Sequence, residues 1–217
     1  MPALFLRPGV HLAAVGDDLV SLDVDAGDYA CLAGIGRAVP PPGPGGRLDL
    51  ALAEVVDALL EAGLAAREPR ADVSADLPPP ASASAWRAER PQPTLADHRR
   101  FIRAYLGSAS RFWGAPFGAL VSVARRRRLA APRIETPAVR RDAQVFDHLL
   151  PLAPLQGECL FRAFLLLAYL RLEGRDATWA FGVRTHPFQA HCWLQVGDTL
   201  LDDAVERVCG YTPIFAV

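Results

Sequence analysis

The chain has 217 residues, of which 51% are apolar and 22% charged, and its formal net charge is −1. This length allows one ordinary domain or two small ones, and the near-neutral charge excludes a general electrostatic attraction to nucleic acid. The first twenty residues lack a basic segment followed by a long apolar run, so no secretory signal is predicted. The longest strongly apolar run, 163–170, is too short to span a bilayer, and the four cysteines form no CxxC pair. We therefore expect a cytoplasmic protein with reduced thiols and with no membrane or nucleic-acid partner.

Strand-like segments open the chain and a helix follows them. The stretch VHLAAVGDDLVSLDV (10–24) predicts two strands around a Gly-Asp-Asp turn, and AGDYACLAG (26–34) predicts a third strand. After the proline-rich break PPPGPGG (40–46), the segment RLDLALAEVVDALLEAGLAAR (47–67) has apolar residues at helical spacing and predicts a helix that stops at Gly63. We place this first domain at residues 1–68.

A composition break separates the first domain from the rest. Residues 69–93 are rich in Pro, Ala and Ser, which is typical of a linker. The second domain, 94–217, opens with predicted helices, the first of which has Thr94 as N-cap with Asp97 three residues later. Three strand-like runs close the chain at 176–184, 190–197 and 199–205. This order of elements predicts an α+β protein.

Cys159 lies near the start of a segment that is apolar on nearly every face, GECLFRAFLLLAYLRLEG (157–174). Such a pattern predicts a helix that is buried all round, beginning near Cys159 and stopping at Gly174. A helix start presents unpaired N–H groups and a positive dipole, which favour a thiolate and can hold an oxyanion. Gln156 lies just upstream, where its side chain could add a further hydrogen bond to an oxyanion.

A histidine in the later strand AHCWLQVG (190–197) is the candidate base. Alternation puts His191 on the opposite face from Cys192, which is expected to pack in the core. A third group must orient the base, and the chain offers Asp202 or Asp203. A two-residue turn at 197–198 would set Asp202 on the histidine face, whereas a three-residue loop would set Asp203 there. The pattern alone leaves both open.

The string PFQAHCWLQVGDTLLDD (187–203), preceded by Cys159 at the start of an apolar helix, resembles the transglutaminase-like leader peptidases of lasso-peptide biosynthesis. The resemblance covers most of 94–217 and implies a papain-like cysteine protease domain. It assigns the catalytic roles to Cys159, His191 and Asp203, and it needs no cofactor or metal. Phe188 and Trp193 are expected to wall the substrate site.

The first domain resembles the PqqD-like recognition element, a small winged-helix domain that binds leader peptides. In that family the leader adds as a strand beside the third strand and packs on the following helix, by main-chain hydrogen bonds and side-chain pockets. The resemblance implies a groove formed by Asp28, Tyr29, Ala30, Cys31, Leu52, Val55, Val56 and Leu59. It also implies two partners, a lasso precursor peptide and an asparagine-synthetase-like cyclase that receives the freed core.

Three alternatives stay open beside the peptidase hypothesis. The same three residues could pass an acyl group to an amine, or they could be vestigial in a protein that only binds the leader. A zinc site built from Cys159, His186, His191 and Cys209 has the least support, because their spacing matches no structural zinc pattern.

Overall fold

The computed structural model describes residues 4–68, 77–86, 91–126, 135–155 and 157–217. We call residues 4–68 the N-terminal module and residues 91–217 the C-terminal module. Among the helices of these described ranges, none combines the length and the apolar character needed to cross a membrane.

The N-terminal module is built mainly from short antiparallel strands. Its elements are β1 (Leu4–Leu6), β2 (Val10–Val15), β3 (Asp18–Asp23), β4 (Asp28–Leu32), β5 (Arg47–Leu48), α1 (Ala53–Glu61) and β6 (Ala65–Ala66). They form two three-stranded sheets, one in the order β5-β1-β6 and the other in the order β2-β3-β4. The predicted hairpin and third strand are confirmed, and Val15 pairs with Asp18 across the turn. Strand β4 lies at an edge of its sheet, and no other strand in the described part of the chain pairs with its outer side.

Helix α1 is shorter than the sequence predicts. Arg47 and Leu48 pair with β1 as strand β5, so the helix begins only at Ala53. It ends at Glu61, and Gly63 follows in the left-handed region with φ of 66°, as expected for a helix stop. Because Leu48 fits helical spacing and strand alternation equally well, its pattern did not reveal that it belongs to a sheet. Within the described part of the module α1 is the one α-helix, so the winged-helix expectation stays a prediction.

The C-terminal module places four long helices against a five-stranded sheet. Its elements are α2 (Leu95–Phe112), α3 (Phe117–Arg126), α4 (Pro137–Leu149), α5 (Cys159–Arg171), β8 (Thr178–Arg184), β9 (Gln189–Val196), β10 (Thr199–Leu200), α6 (Val205–Val208) and β11 (Thr212–Ala216). Strand β7 (Ala83–Ser84) adds to it, and the sheet order is β11-β8-β9-β10-β7. Thr94 caps α2 together with Asp97, which confirms the predicted capping box.

Helix α5 is the centre of this module. Most of its residues are buried, from Phe161 to Leu170, and they belong to one large apolar cluster that also contains residues of α2, α4, β8 and β9. This confirms the predicted helix buried on all sides. The burial fixes the axis of α5, and with it the position of its first residue, Cys159.

The two modules share one apolar core. Ala13, Val20, Leu22 and Val24 of the N-terminal module belong to the same apolar cluster as α5. The rings of His11 and Phe215 also pack across the boundary, with centroids 4.5 Å apart.

Part of the predicted linker belongs to the C-terminal sheet. Within 69–93, strand β7 pairs in parallel with β10, and Ala85 is fully buried. Ala85 also receives a side-chain hydrogen bond on its carbonyl oxygen from Gln144 Nε2 at 2.8 Å. These described residues are therefore tied to the C-terminal module rather than free between two domains.

Candidate active site

Cys159 is the first residue of α5 and is half-buried. The N-cap residue, Glu158, makes no capping hydrogen bond through its side chain, so the first N–H groups are not satisfied in that way. Gly157 precedes it with φ of 64°, and a Cβ there would lie 2.7 Å from the Cβ of Phe161. Glycine is therefore needed for the chain to enter the helix at this angle. Gln156, the predicted oxyanion support, lies outside the described residues.

His191 lies on β9 and is held by an aspartate. Its Nε2 atom is 2.5 Å from Oδ2 of Asp203, and both side chains are largely buried, with 11% and 5% of their surfaces exposed. The backbone N–H of Ala204 donates to the other carboxylate oxygen at 2.8 Å, which fixes the carboxylate plane. With Nε2 engaged by Asp203, the ring lies in the same cleft as Cys159, and the interaction with Cys159 acts to raise the pKa of His191. A thiol, an imidazole and a carboxylate thus converge in the order that a nucleophile, a base and an orienting group require.

Which aspartate contacts His191 is determined by the point at which the pairing of β9 with β10 ends. The turn has two residues, since Val196 pairs with Thr199, and by strand alternation this would have placed Asp202 beside His191. Strand β10 stops at Leu200, however, and the chain leaves the regular register. Asp202 then turns inward to accept the Leu194 N–H at 2.8 Å, and Asp203 reaches the histidine. Full burial raises the pKa of Asp202 to about 6, although the Leu194 hydrogen bond opposes this shift.

The charges in the site favour a thiolate and an imidazolium. The pKa of Cys159 is lowered to about 4, chiefly by its interaction with the Cys192 thiol. Burial opposes this shift, while His191 and the Cys192 backbone add to it. Burial lowers the pKa of His191, but its hydrogen bonds to Asp203 and Cys159 outweigh burial and raise it to about 9. Burial also acts to raise the pKa of Asp203, and the hydrogen bond to His191 overcomes it, so that the net shift is downward. The opposite directions of the Cys159 and His191 shifts favour an ionised thiol beside a protonated imidazole.

The thiol opens into a cleft of about 230 Å³ that both modules line. The lining residues are Gly27, Tyr29, Phe117, Cys159, Leu160, Phe181, Ala190, His191 and Cys192. Tyr29 comes from edge strand β4, and its pKa is raised by burial and by the two nearby thiols. The strand expected to receive a leader peptide therefore contributes a wall of the cleft that holds the candidate nucleophile.

Phe188 and Trp193 lie on different sides of the site. Phe188 is 46% exposed and its ring centroid lies 5.8 Å from that of Tyr29, at the rim of the cleft. Trp193 is 1% exposed and packs in a separate cluster with Ala180, where its indole N–H donates to Gln195 Oε1 at 3.0 Å. Its ring centroid is 6.1 Å from that of His191. This differs from the expected position at the cleft wall, because the indole supports the histidine from within the protein.

The predicted leader-binding residues fall into accessible and buried groups. On β4, Asp28, Ala30 and Cys31 are exposed and Tyr29 is half-buried. On the helix side, Leu52 is 56% exposed and Val56 is partly buried. Val55 and Leu59, with 4% and 0% exposed, are instead packed in the core of the N-terminal module. In this conformation the side chains of those two residues support the surface rather than form it.

Cys192 is the site residue that the sequence did not reveal. Strand alternation correctly sends its side chain to the core face, where α5 also packs. The start of α5 lies on that same face, so Cys192 and Cys159 line the same cleft. The alternation of side chains along a strand tells which face each residue is on. It does not tell which helix packs against that face.

The described residues contain no group of three His, Cys, Asp or Glu side chains close enough to hold a metal ion. His186, one member of the zinc alternative, instead bonds Asp18 of the N-terminal module at 2.9 Å. Cys209 is exposed, and its sulfur lies 3.3 Å from the Glu206 carbonyl oxygen.

Comparison with known proteins gives one family and one curated relative. The model of the transglutaminase-like superfamily, Transglut_core3, matches residues 102–216, more than half of the chain. The chain belongs to the transglutaminase-like superfamily. It is also 30% identical over 70 residues to the microcin J25-processing protein McjB of Escherichia coli, a match that covers 32% of this chain and 34% of McjB. The chain thus matches about a third of the length of that curated relative, and no solved structure matches it.

Proposed function

We propose that this protein is a cysteine peptidase that binds the leader of a lasso precursor peptide and hydrolyses the bond between leader and core. The observation that carries the proposal is the convergence of Cys159, His191 and Asp203 at one cleft. Membership of the transglutaminase-like superfamily and the similarity to McjB support the chemistry and the class of substrate.

In the proposed reaction, the Cys159 thiolate attacks the carbonyl carbon of the scissile bond and forms a tetrahedral oxyanion. The N–H groups at the start of α5, with Gln156 as a further donor, would stabilise that oxyanion. His191 then gives its proton to the leaving amine of the core peptide, and a thioester remains on Cys159. Water, deprotonated by His191, hydrolyses the thioester, while Asp203 keeps the ring oriented and stabilises its charged form.

Leader capture is proposed at the open edge of β4. An extended peptide can add there by main-chain hydrogen bonds, because within the described ranges no strand pairs with that edge. Leu52 and Val56 are the accessible apolar residues for its side chains, and Tyr29 links this edge to the cleft. A leader bound on β4 would thus hold the scissile bond close to Cys159 and raise its effective concentration there.

The freed core would pass to an asparagine-synthetase-like cyclase, which completes the proposed assembly in the cytoplasm. No metal or cofactor enters the proposed chemistry. Acyl transfer to an amine is the second candidate, since a thioester on Cys159 can react with an amine as well as with water. The match to the transglutaminase-like superfamily is the observation that favours acyl transfer as a second candidate.

The test incubates the purified chain with lasso precursor peptides and identifies the products by mass spectrometry. Hydrolysis predicts a leader fragment with a free carboxylate, whereas acyl transfer predicts a leader joined to the added amine. Cys159→Ala should bind a labelled leader normally and release no product. Cys209→Ala, which removes an exposed thiol outside the cleft, should leave the rate unchanged. Cleavage by Cys159→Ala at the wild-type rate would refute the proposal.

A further inference from the structure

A second cavity lies between α2, α3 and the later part of α5, and we call it the basic pocket. Its volume is about 580 Å³, against about 230 Å³ for the cleft that holds Cys159, and the two share no lining residue. Because an α-helix rises 1.5 Å per residue, the Arg171 end of α5 lies about 18 Å along the helix axis from Cys159. The basic pocket is therefore a separate site, and its volume is in the range that small-molecule ligands occupy.

The charge of the basic pocket is positive. Four arginine residues line it, and within the described ranges no aspartate or glutamate does. Arg103 and Arg111 come from α2, Arg126 from the end of α3 and Arg171 from the end of α5. Like charges that line one space repel one another, and an anion bound between them would offset this repulsion.

The arginines of the pocket differ in how they are held. Arg171 donates to Asp176 Oδ1 at 2.8 Å and to the Ala124 carbonyl oxygen at 2.9 Å. Arg103 and Arg126 are exposed, and neither forms an ion pair with another residue in the described part of the chain. An arginine in the last turn of a helix can simply complement the helix dipole, but Arg103 lies in the middle of α2, where that explanation does not apply.

The floor of the basic pocket is apolar. Phe164 and Leu167 of α5 form part of it, and Leu172 is 40% exposed at its edge. Ser108 of α2 belongs to the same lining and is 1% exposed, and its hydroxyl has no hydrogen-bond partner among the described residues. Buried polar groups normally have a partner, and an oxygen of a bound ligand could supply one. The pocket thus combines apolar surface with hydrogen-bond donors.

We propose that the basic pocket binds an amphiphilic anion, with a phosphate or carboxylate group that pairs with Arg103 and Arg126 and an apolar body that lies over Phe164 and Leu167. Arginine suits both anionic groups, because its planar guanidinium can donate two parallel hydrogen bonds to their oxygen atoms. This binding site is additional to the proposed cleavage of a leader peptide. It does not depend on the role of Cys159.

The test uses the fluorescent probe 1-anilinonaphthalene-8-sulfonate, in which the sulfonate represents the anionic group and the rings represent the apolar body. Titration of the wild-type chain should show saturable binding. Arg103→Ala and Arg126→Ala should each raise the Kd of the probe about tenfold, which is the effect of losing one hydrogen-bonded ion pair. Arg99→Ala is the matched control, because Arg99 is an exposed arginine of α2 outside the pocket lining, and it should leave the Kd unchanged.

Two further comparisons separate the anionic group from the apolar body. N-phenyl-1-naphthylamine has the same rings without the sulfonate, so its Kd should be the same for the wild type and Arg103→Ala. Octyl phosphate and octanoate have the two candidate anionic groups on similar apolar chains, and the one that displaces the sulfonate probe at the lower concentration identifies the preferred group. Inorganic phosphate lacks the apolar chain and should need a concentration more than about tenfold higher than the better octyl compound.

Several results would overturn the proposal. These are an unchanged Kd in either Arg103→Ala or Arg126→Ala, an equal increase in Arg99→Ala, and inorganic phosphate that displaces the probe as well as the octyl compounds do. Circular dichroism checks that each variant is folded. If an alanine variant is not, the glutamine variant at the same position keeps most of the side-chain stem without the charge and takes its place. The assay contains no precursor peptide, so an absence of cleavage would count against the proposed function and not against this site.

Discussion

The two sides of the cleft that holds the candidate nucleophile differ in how their residues are held. On one side, Cys159 begins helix α5, most of which is buried from Phe161 onward, and His191 directly precedes the buried part of β9, Cys192 to Val196. On the other side, β4 is an edge strand with mostly exposed side chains, and only Tyr29 turns into the cleft. The chemistry is therefore fixed by packing, while the proposed peptide-binding side offers backbone groups that suit many sequences. Changes on the first side should affect the rate of reaction, and changes on the second should affect the use of substrate.

The sharpest test of the fixed side compares two adjacent buried aspartates. Asp203→Asn should lower kcat/KM for precursor cleavage by about 10²–10⁴-fold, because the amide cannot stabilise the charged His191 ring. Asp202→Asn keeps an oxygen that can accept the Leu194 N–H and should change kcat/KM far less. Equal losses in the two variants would mean that Asp203 has no special relation to the base. Leader affinity, measured by fluorescence polarisation, should be the same in both.

The entry to α5 can be disturbed by one methyl group. Gly157 and Gly174 both have positive φ, but only at Gly157 would a Cβ meet neighbouring atoms, at 2.7 Å from Phe161. Gly174→Ala should lower the free energy of unfolding by about 1–2 kcal/mol, which is the cost of the left-handed backbone. Gly157→Ala should cost more and should also reduce cleavage, because the start of the helix must shift. Urea denaturation measures the first effect; similar losses in both variants would show that the contact with Phe161 is unimportant.

The pH dependence of kcat/KM also reports on the fixed side. With the pKa of Cys159 lowered to about 4 and that of His191 raised to about 9, activity should be level between these values. Below the first value the thiolate is protonated, and above the second the imidazole has lost the proton that the leaving amine needs. Activity should fall about tenfold per pH unit beyond each limit. A maximum restricted to a narrow range near pH 7 would contradict the ion pair.

Tyr29 tests the open side and is expected to give the smallest effect. Tyr29→Ala removes the aromatic wall and its contact with Phe188, so kcat/KM for the precursor should fall by about tenfold or less. Tyr29→Phe keeps the ring and should retain most of the activity. Alkylation of Cys159 by iodoacetamide should be nearly unchanged in both. If Tyr29→Ala stops alkylation instead, the N-terminal module would be part of the catalytic machinery rather than a substrate wall.

Much of this arrangement follows from local sequence patterns. Turn residues predicted the β2–β3 hairpin, and the apolar run after Cys159 predicted a fully buried helix, because both are decided by neighbours in the chain. The family resemblance supplied Asp203, which strand register could not, since the ladder stops at Leu200 before either aspartate is reached. No pattern along the chain predicts that Cys159 and Cys192 line the same cleft, or that Tyr29 does. Those positions depend on how separate elements pack against one another.

The apolar cluster common to both modules couples the stability of each module to that of the other. Val20 and Leu22 of β3 are completely buried in the cluster that also contains α5, so neither module can lose its packing without exposing the interior of the other. Heat or denaturant should consequently melt the molecule in a single cooperative transition. Residues 91–217 expressed alone would present a bare apolar surface to water and would tend to aggregate.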